Sequence, residues 1–292
     1  MRNRFTARPW KTLVFGMAAA LFATALLTLL APAPASAAVP GYQFVPGQTD
    51  FNSLDSKTLT INCPAGKNAI SASPVVVGGQ GEVVLSNLNV NQNSVFIAAS
   101  EDQDRTNANW RIEAQVLCVN PLPGLEYRAV IGPVTQGPNP GRSLSATATC
   151  SAGKRLIGAG AALTFGTDGQ VSMSNLLLGD TAVTLVGVED QDGLNGRWGS
   201  FLTAVCADPL PGLGVVPGRG SGFDSNSPKF DSPRCGTNQR ALAAGWGVGG
   251  DGQVVVFGVA IGALGANLTA AEDQDGFAGN WSIGGHVICA NP

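Results

Sequence analysis

One block of 18 residues occurs three times in this chain and never changes length. It starts at Glu101, Glu189 and Glu272 with the string Glu-Asp-Gln-Asp, reaches a tryptophan nine residues later and a cysteine eight after that. Trp110 and Cys118, Trp198 and Cys206, and Trp281 and Cys289 fill those places. The fronts of the units match too: CPAGKNAISAS at 63–73, CSAGKRLIGAG at 150–160 and CGTNQRALAAG at 235–245. Self-similarity at a fixed period is the signature of a repeat architecture. The units fall at 41–126, 127–213 and 214–292.

Each unit reads as about five strands. In the second they are SLSATATC, KRLIGAGAAL, QVSMSNLLLG, TAVTLVGVE and RWGSFLTAVCA. Short runs rich in Val, Leu and Thr between Gly, Asp and Asn clusters point to antiparallel β-structure. The Ala and Leu of RLIGAGAALTF also suit a helix, but Gly158, Gly160 and Gly166 argue against one. The expected fold is all-β, with three homologous antiparallel repeats. The linkers NPLPGL (120–125) and DPLPGL (208–213) favour small, separate sandwich units. One pseudo-threefold, β-prism-like body is the alternative.

Six cysteines fall two per unit, 55, 56 and 54 residues apart. An even count in an exported chain suggests disulfides. The repeat selects Cys63 with Cys118, Cys150 with Cys206 and Cys235 with Cys289, each joining the unit's first strand to its last. Bridges swapped between units are the alternative; a zinc site lacks the close Cys or His pairs it needs. Side chains alternate along a strand, so Trp110, Ile112, Ala114, Val116 and Cys118 share one face, as do their counterparts. That apolar set makes the tryptophans core residues rather than sugar platforms. The only histidine, His286, is expected on the opposite, outward face.

The N-terminus carries Arg2, Arg4, Arg8 and Lys11, then an apolar run, then Ala35-Ser36-Ala37. Residues 1–37 read as a secretory signal peptide, with an uncleaved anchor as the alternative reading. No second apolar run is long enough to span a bilayer, so a soluble, extracellular mature chain without membrane contact is expected. Cleavage removes four of 17 basic residues and none of the 20 acids, leaving 13 against 20, a net charge of −7. Such a chain lacks the basic footprint of a nucleic-acid binder.

The CPAGK start, the Gly/Ala-rich strand, the Trp-led strand and the closing cysteine resemble small secreted bacterial domains built of Cys-Pro-Ala-Gly-Lys units. The resemblance covers all three units and implies a β-rich, secreted protein; it brings no catalytic residues. Threefold repetition with paired cysteines is also similar in architecture to the β-prism of vitelline membrane outer layer proteins, and likeness of fold does not give function.

The EDQD strings sit at hairpin connections, where short acidic side chains bond nearby backbone. As structured turns, Glu101, Glu189 and Glu272 accept backbone N–H groups, and Gly193 and Gly276 supply positive φ where the first copy has Arg105. As ligand sites, Asp102 with Asp104, Asp190 with Asp192 and Asp273 with Asp275 offer hard oxygens to calcium, although the distal Glu of an EF-hand is missing. As sugar sites, three weak copies gain avidity. Hydrolysis of a glycan needs a placed acid pair, and the chain carries no G-x-S-x-G, H-E-x-x-H or phosphate-loop context. The GVGGDG run at 247–252 lies in a β-repeat, not at a strand-to-helix turn. The sequence therefore predicts a secreted, non-enzymatic binding protein for cell-wall or extracellular polysaccharide. A structural or protective protein is the alternative, and a glycan hydrolase comes third.

Overall fold

The computed structural model describes residues 39–79, 81–137, 142–167, 169–250 and 252–292, and residues 1–37, expected to be a signal peptide, lie outside them. Eighteen antiparallel strands and no helix are found among the described residues. The first repeat holds β1 (Gln43–Gln48), β2 (Ser56–Asn62), β3 (Asn68–Val77), β4 (Val83–Val90), β5 (Ser94–Glu101) and β6 (Arg111–Val119). The second holds β7 (Glu126–Gln136), β8 (Ser143–Thr149), β9 (Arg155–Thr164), β10 (Val171–Leu178), β11 (Ala182–Glu189) and β12 (Arg197–Ala207). The third holds β13 (Gly214–Pro217), β14 (Lys229–Asp231), β15 (Arg240–Val248), β16 (Val254–Gly262), β17 (Gly265–Glu272) and β18 (Ile283–Ala290).

Each repeat thus has six strands rather than five. The extra one is the first, β1, β7 or β13, which lies at a sheet edge. Each of these contains a proline, Pro46, Pro133 or Pro217. Proline cannot donate to a ladder and weakens the strand signal; an edge tolerates it.

The strands form three six-stranded sheets, ordered β1-β6-β3-β16-β17-β14, β2-β5-β4-β9-β12-β7 and β13-β18-β15-β10-β11-β8. Every sheet takes half of its strands from one repeat and half from the next. The repeats are therefore not separate sandwiches; they close cyclically around one core. The reason lies in the third strand of each repeat. In β9 every residue from Leu156 to Leu163 is buried, and a strand packed on both faces needs neighbours that half a sheet cannot supply.

The seams between repeats are short and equivalent. Asn87 and Leu88 pair with Ala162 and Ala161, Asn175 and Leu176 pair with Gly247 and Trp246, and Gly258 pairs with Val75. Backbones approach closely there. A Cβ on Gly158 would stand 1.8 Å from the Ile70 carbonyl oxygen, and one on Gly160 would stand 2.5 Å from the Val90 nitrogen. Side chains then fasten the seams: the Tyr127 hydroxyl donates to the Ala69 carbonyl at 2.7 Å, and the Tyr42 hydroxyl to the Ala241 carbonyl at 2.8 Å.

Trp110, Trp198 and Trp281 are fully buried, as core residues should be. Trp246 is buried as well, its Nε1 donating to the Met173 carbonyl across a seam at 2.8 Å. The disulfides are Cys63–Cys118, Cys150–Cys206 and Cys235–Cys289, with Cα–Cα distances of 5.7, 5.8 and 5.7 Å. Cys63 and Cys150 follow β2 and β8, the strands expected to open their repeats, which become second once the proline-containing edge strand is counted. Because strands two and six belong to different sheets, each bridge ties two sheets together. Chain entropy assigns a closed loop of this size about 4 kcal/mol.

His286 does not face outward freely. It is half-buried, and its Nε2 accepts the Leu178 N–H at 2.6 Å. The alternation of β18 did put it opposite the tryptophan face, but the neighbouring repeat covers that face.

Gly158→Ala should destabilise the protein by roughly 3 kcal/mol or more, because the new methyl meets backbone. Gly249→Ala, where nothing lies within 4 Å, should stay within about 0.5 kcal/mol. Paired denaturant titrations check both.

Candidate functional site

The three EDQD loops cross from one sheet to another, joining strands five and six rather than closing hairpins as expected. They lie beside the turns that carry strand three of each repeat over to strand four in another sheet. Asp102, Asp190 and Asp273 donate their N–H groups to the Glu82, Gln170 and Gln253 carbonyls at 3.0, 3.0 and 2.9 Å. A glycine of the three-to-four turn of another repeat then presses on each loop. A Cβ on Gly169 would meet the Glu101 carbonyl at 2.4 Å, one on Gly252 the Glu189 carbonyl at 2.4 Å and one on Gly81 the Glu272 carbonyl at 2.6 Å. All three also have positive φ, so both the turn and the contact require glycine.

The four residues of each string have separate tasks. The glutamates do not chiefly fix the turn backbone; each accepts the indole N–H of the tryptophan nine residues on. Trp110 donates to Glu101 at 2.8 Å and Trp281 to Glu272 at 2.6 Å, and Trp198 donates to Glu189 in the same way. The proximal aspartates hold the turn. Asp102 Oδ1 accepts the Asp104 and Arg105 N–H groups at 3.1 Å each. Asp190 Oδ1 accepts those of Asp192 and Gly193 at 3.1 and 2.9 Å, and Asp273 Oδ1 that of Gly276 at 3.0 Å. Arg105, Gly193 and Gly276 all take a left-handed φ, of 60°, 69° and 71°.

The distal aspartates converge. Carboxylate oxygens of Asp104, Asp192 and Asp275, one from each repeat and all exposed, lie within 4.8 Å of one another. Gln103 donates across to Asp192, and Gln191 to Asp275. The pairs expected within single loops are therefore split: proximal members turn into their own backbone, and distal members meet their counterparts. Arg105 is the basic group of the first loop, and it pairs with Asp55 at 2.9 Å.

The field here is strongly negative. Burial raises Asp102 and Asp190 to about 6 and Asp273 to about 7, with neighbouring loop aspartates adding to each rise. Glu82 rises to about 7, from burial first and then from Asp102, Asp104, Asp275 and Glu101. Its Oε2 is buried without a hydrogen-bond partner. The sequence reading missed Glu82, because the second and third repeats carry Gln170 and Gln253 in its place.

It also missed two buried lysines. Lys57 Nζ donates to the Asn52 carbonyl at 3.1 Å and to Asn52 Oδ1, and lies 4.6 Å from the Trp110 ring. Lys229 does the same with Asp224 and Trp281. In repeats one and three the indole thus has a carboxylate on its edge and an ammonium on its face. Leu144 takes the lysine's register position in repeat two. Burial pulls the Lys57 pKa down, while Glu101 opposes that shift. The signal was present: Lys57 alternates with Leu59 and Ile61 on the inward face of β2.

An open cleft of about 530 Å³ runs between the first and second loops, lined among others by Asp55, Ser100, Asp102, Gln103, Arg105 and Asn195. A larger one, about 650 Å³, lies beside Cys63, Gln92 and Tyr127, away from the acidic loops. Its one charged residue, Lys67, is held by the Gly41 carbonyl at 2.6 Å and Gln43 Oε1 at 2.7 Å. No protein-family model matches the chain, and no curated protein matches it significantly.

Native carboxyls with raised pKa hold protons more tightly than the unfolded chain, so their contribution to stability is lost as pH rises towards 7. Glu82→Gln, which copies the other two repeats, should raise the melting temperature above pH 7 and leave it unchanged near pH 4; thermal melts at both values check this. Arg105→Gly should stabilise by about 1 kcal/mol by relieving left-handed backbone, since the exposed Asp55 pair contributes little. Denaturant midpoints at fixed pH measure it.

Proposed function

We propose that this is a secreted, non-enzymatic binding protein that works at an extracellular or cell-envelope surface, with the EDQD end as its binding face. The observation that carries the reading is the meeting of Asp104, Asp192 and Asp275. The glutamates and proximal aspartates are consumed within their own repeat, whereas these three exposed side chains face one another, with Asp192 and Asp275 accepting from Gln103 and Gln191 of the neighbouring loops. Three carboxylates at such range repel each other, and a hard divalent cation relieves that repulsion with oxygen ligands. Calcium held there keeps coordination positions for the hydroxyl or carboxylate oxygens of a polysaccharide. The polar cleft beside Arg105 and Asn195 extends the same face. Three disulfides suit an extracellular setting. They support equally a protective structural protein, the second reading, which requires no saturable ligand.

In chelated protein, calcium at millimolar concentration should raise the melting temperature, and cell-wall polysaccharide should be retained in calcium but not in chelator. The combined variant Asp104→Asn, Asp192→Asn, Asp275→Asn should lose both responses while folding normally. Affinity should rise from pH 5.5 to 8, as the carboxyls held near 6 and 7 ionise. No thermal shift with calcium sinks the cation; polysaccharide retention that ignores calcium and the triple variant sinks the face.

A further inference from the structure

At each seam the fourth strand of one repeat leaves the third strand of the next after a very short ladder. Three residues beyond the first paired position stand Val90, Leu178 and Ile261. Their backbone N–H groups need acceptors that the diverging strand does not supply. At the seam of repeats three and one, Ile261 donates to Ser73 Oγ at 2.8 Å. The equivalent of Ser73 at the seam of repeats two and three is Gly245. With no side chain there, His286 on the next strand reaches over the glycine, and its Nε2 accepts the Leu178 N–H at 2.6 Å. A Cβ on Gly245 would fall 2.4 Å from that Nε2 and 2.3 Å from the Leu176 carbonyl. Glycine, imidazole and amide therefore fit as one unit.

We propose that His286 is a pH-sensitive clasp on the seam between the second and third repeats, closed when the imidazole is neutral and released when it is protonated. A serine hydroxyl accepts a hydrogen bond at any ordinary pH. An imidazolium has no lone pair to offer. Burial holds the ring below its usual 6.5, so the native protein binds this proton less readily than the unfolded chain. The clasp is closed at neutral pH, and its contribution falls as pH drops below 6.5.

The charges on the elements around β18 are engaged elsewhere. Asp231 on β14 accepts the Gly285 N–H at 2.7 Å, and Glu272 on β17 accepts the Trp281 indole. Lys229 on β14 is held by Asp224, and Arg240 on β15 lies 5.4 Å from the Tyr42 ring. Asp180, just past β10, pairs with Arg155 at 2.9 Å. Arg219 follows β13, and a cation there does not favour a charged ring. The EDQD carboxyls titrate in the opposite sense, so global stability against pH is not the measurement to use.

The chain has one histidine, which makes the test clean. NMR should show the ring titrating below 6.5. Amide exchange should show the Leu178 protection factor falling about tenfold as the ring protonates, the loss of one buried hydrogen bond. Ile261, held by Ser73, is the internal control and should not change. His286→Gln keeps an acceptor without a titration, so Leu178 protection should become independent of pH. A ring that titrates at or above 6.5, or Leu178 and Ile261 protection that move together between pH 7.5 and 4.5, overturns the proposal. The wild-type measurement decides the matter even if the variant does not fold.

Discussion

A strand buried on both faces and pressed against another strand's backbone has no space for side chains. Two of the three junctions in this protein are made under that constraint, and at the third Ser73 stands in the glycine's place with its hydroxyl bonded to the Ile261 N–H. Gly158 under Ile70, Gly160 under Val90 and Gly245 under Leu176 let the third strand of one repeat approach its neighbour. Two of the three sheets close through those approaches. Small residues here set the association geometry, and the larger apolar side chains fill the core that the association creates.

The second layer of order is the bond between glutamate and indole. A carboxylate that is nearly inaccessible, as at Glu101 and Glu189, is costly unless it is bonded. The tryptophan ring offers one N–H at a fixed reach and an apolar body for the core. That pairing explains why the block never changes length. A one-residue insertion between the tryptophan and the cysteine puts the two on opposite faces of the strand, and one in the loop before the tryptophan alters the reach from carboxylate to indole. The cysteine eight residues on is held by the same alternation.

Much of this was legible beforehand. Fixed spacings disclosed the repeat, the disulfide partners and the inward tryptophans, because covalent and steric periodicities leave marks along one strand. Joint ownership of the sheets was not legible. The pairing of Asn87 with Ala162 depends on backbone proximity between units, and the linkers at 120–125 and 208–213 read as spacers when they are only corners. The site divided in the same way. Its residues were visible as EDQD, but the assignment of glutamate to indole, first aspartate to turn and second aspartate to the other repeats required three dimensions. His286 was misread because alternation specifies a face and says nothing of what covers it.

The sharing of sheets also bears on how the chain assembles. The sheet begun by β1, β6 and β3 is completed by β16, β17 and β14, so Val75 waits for Gly258. Contacts this distant in sequence make folding slow. Until they form, β3 presents a bare edge to any other strand. A solenoid can lose its last repeat and keep the others. Here each repeat is both neighbour and cap to the other two, so the sequence folds as a ring or leaves two open edges. The last strands made are the ones that protect the first.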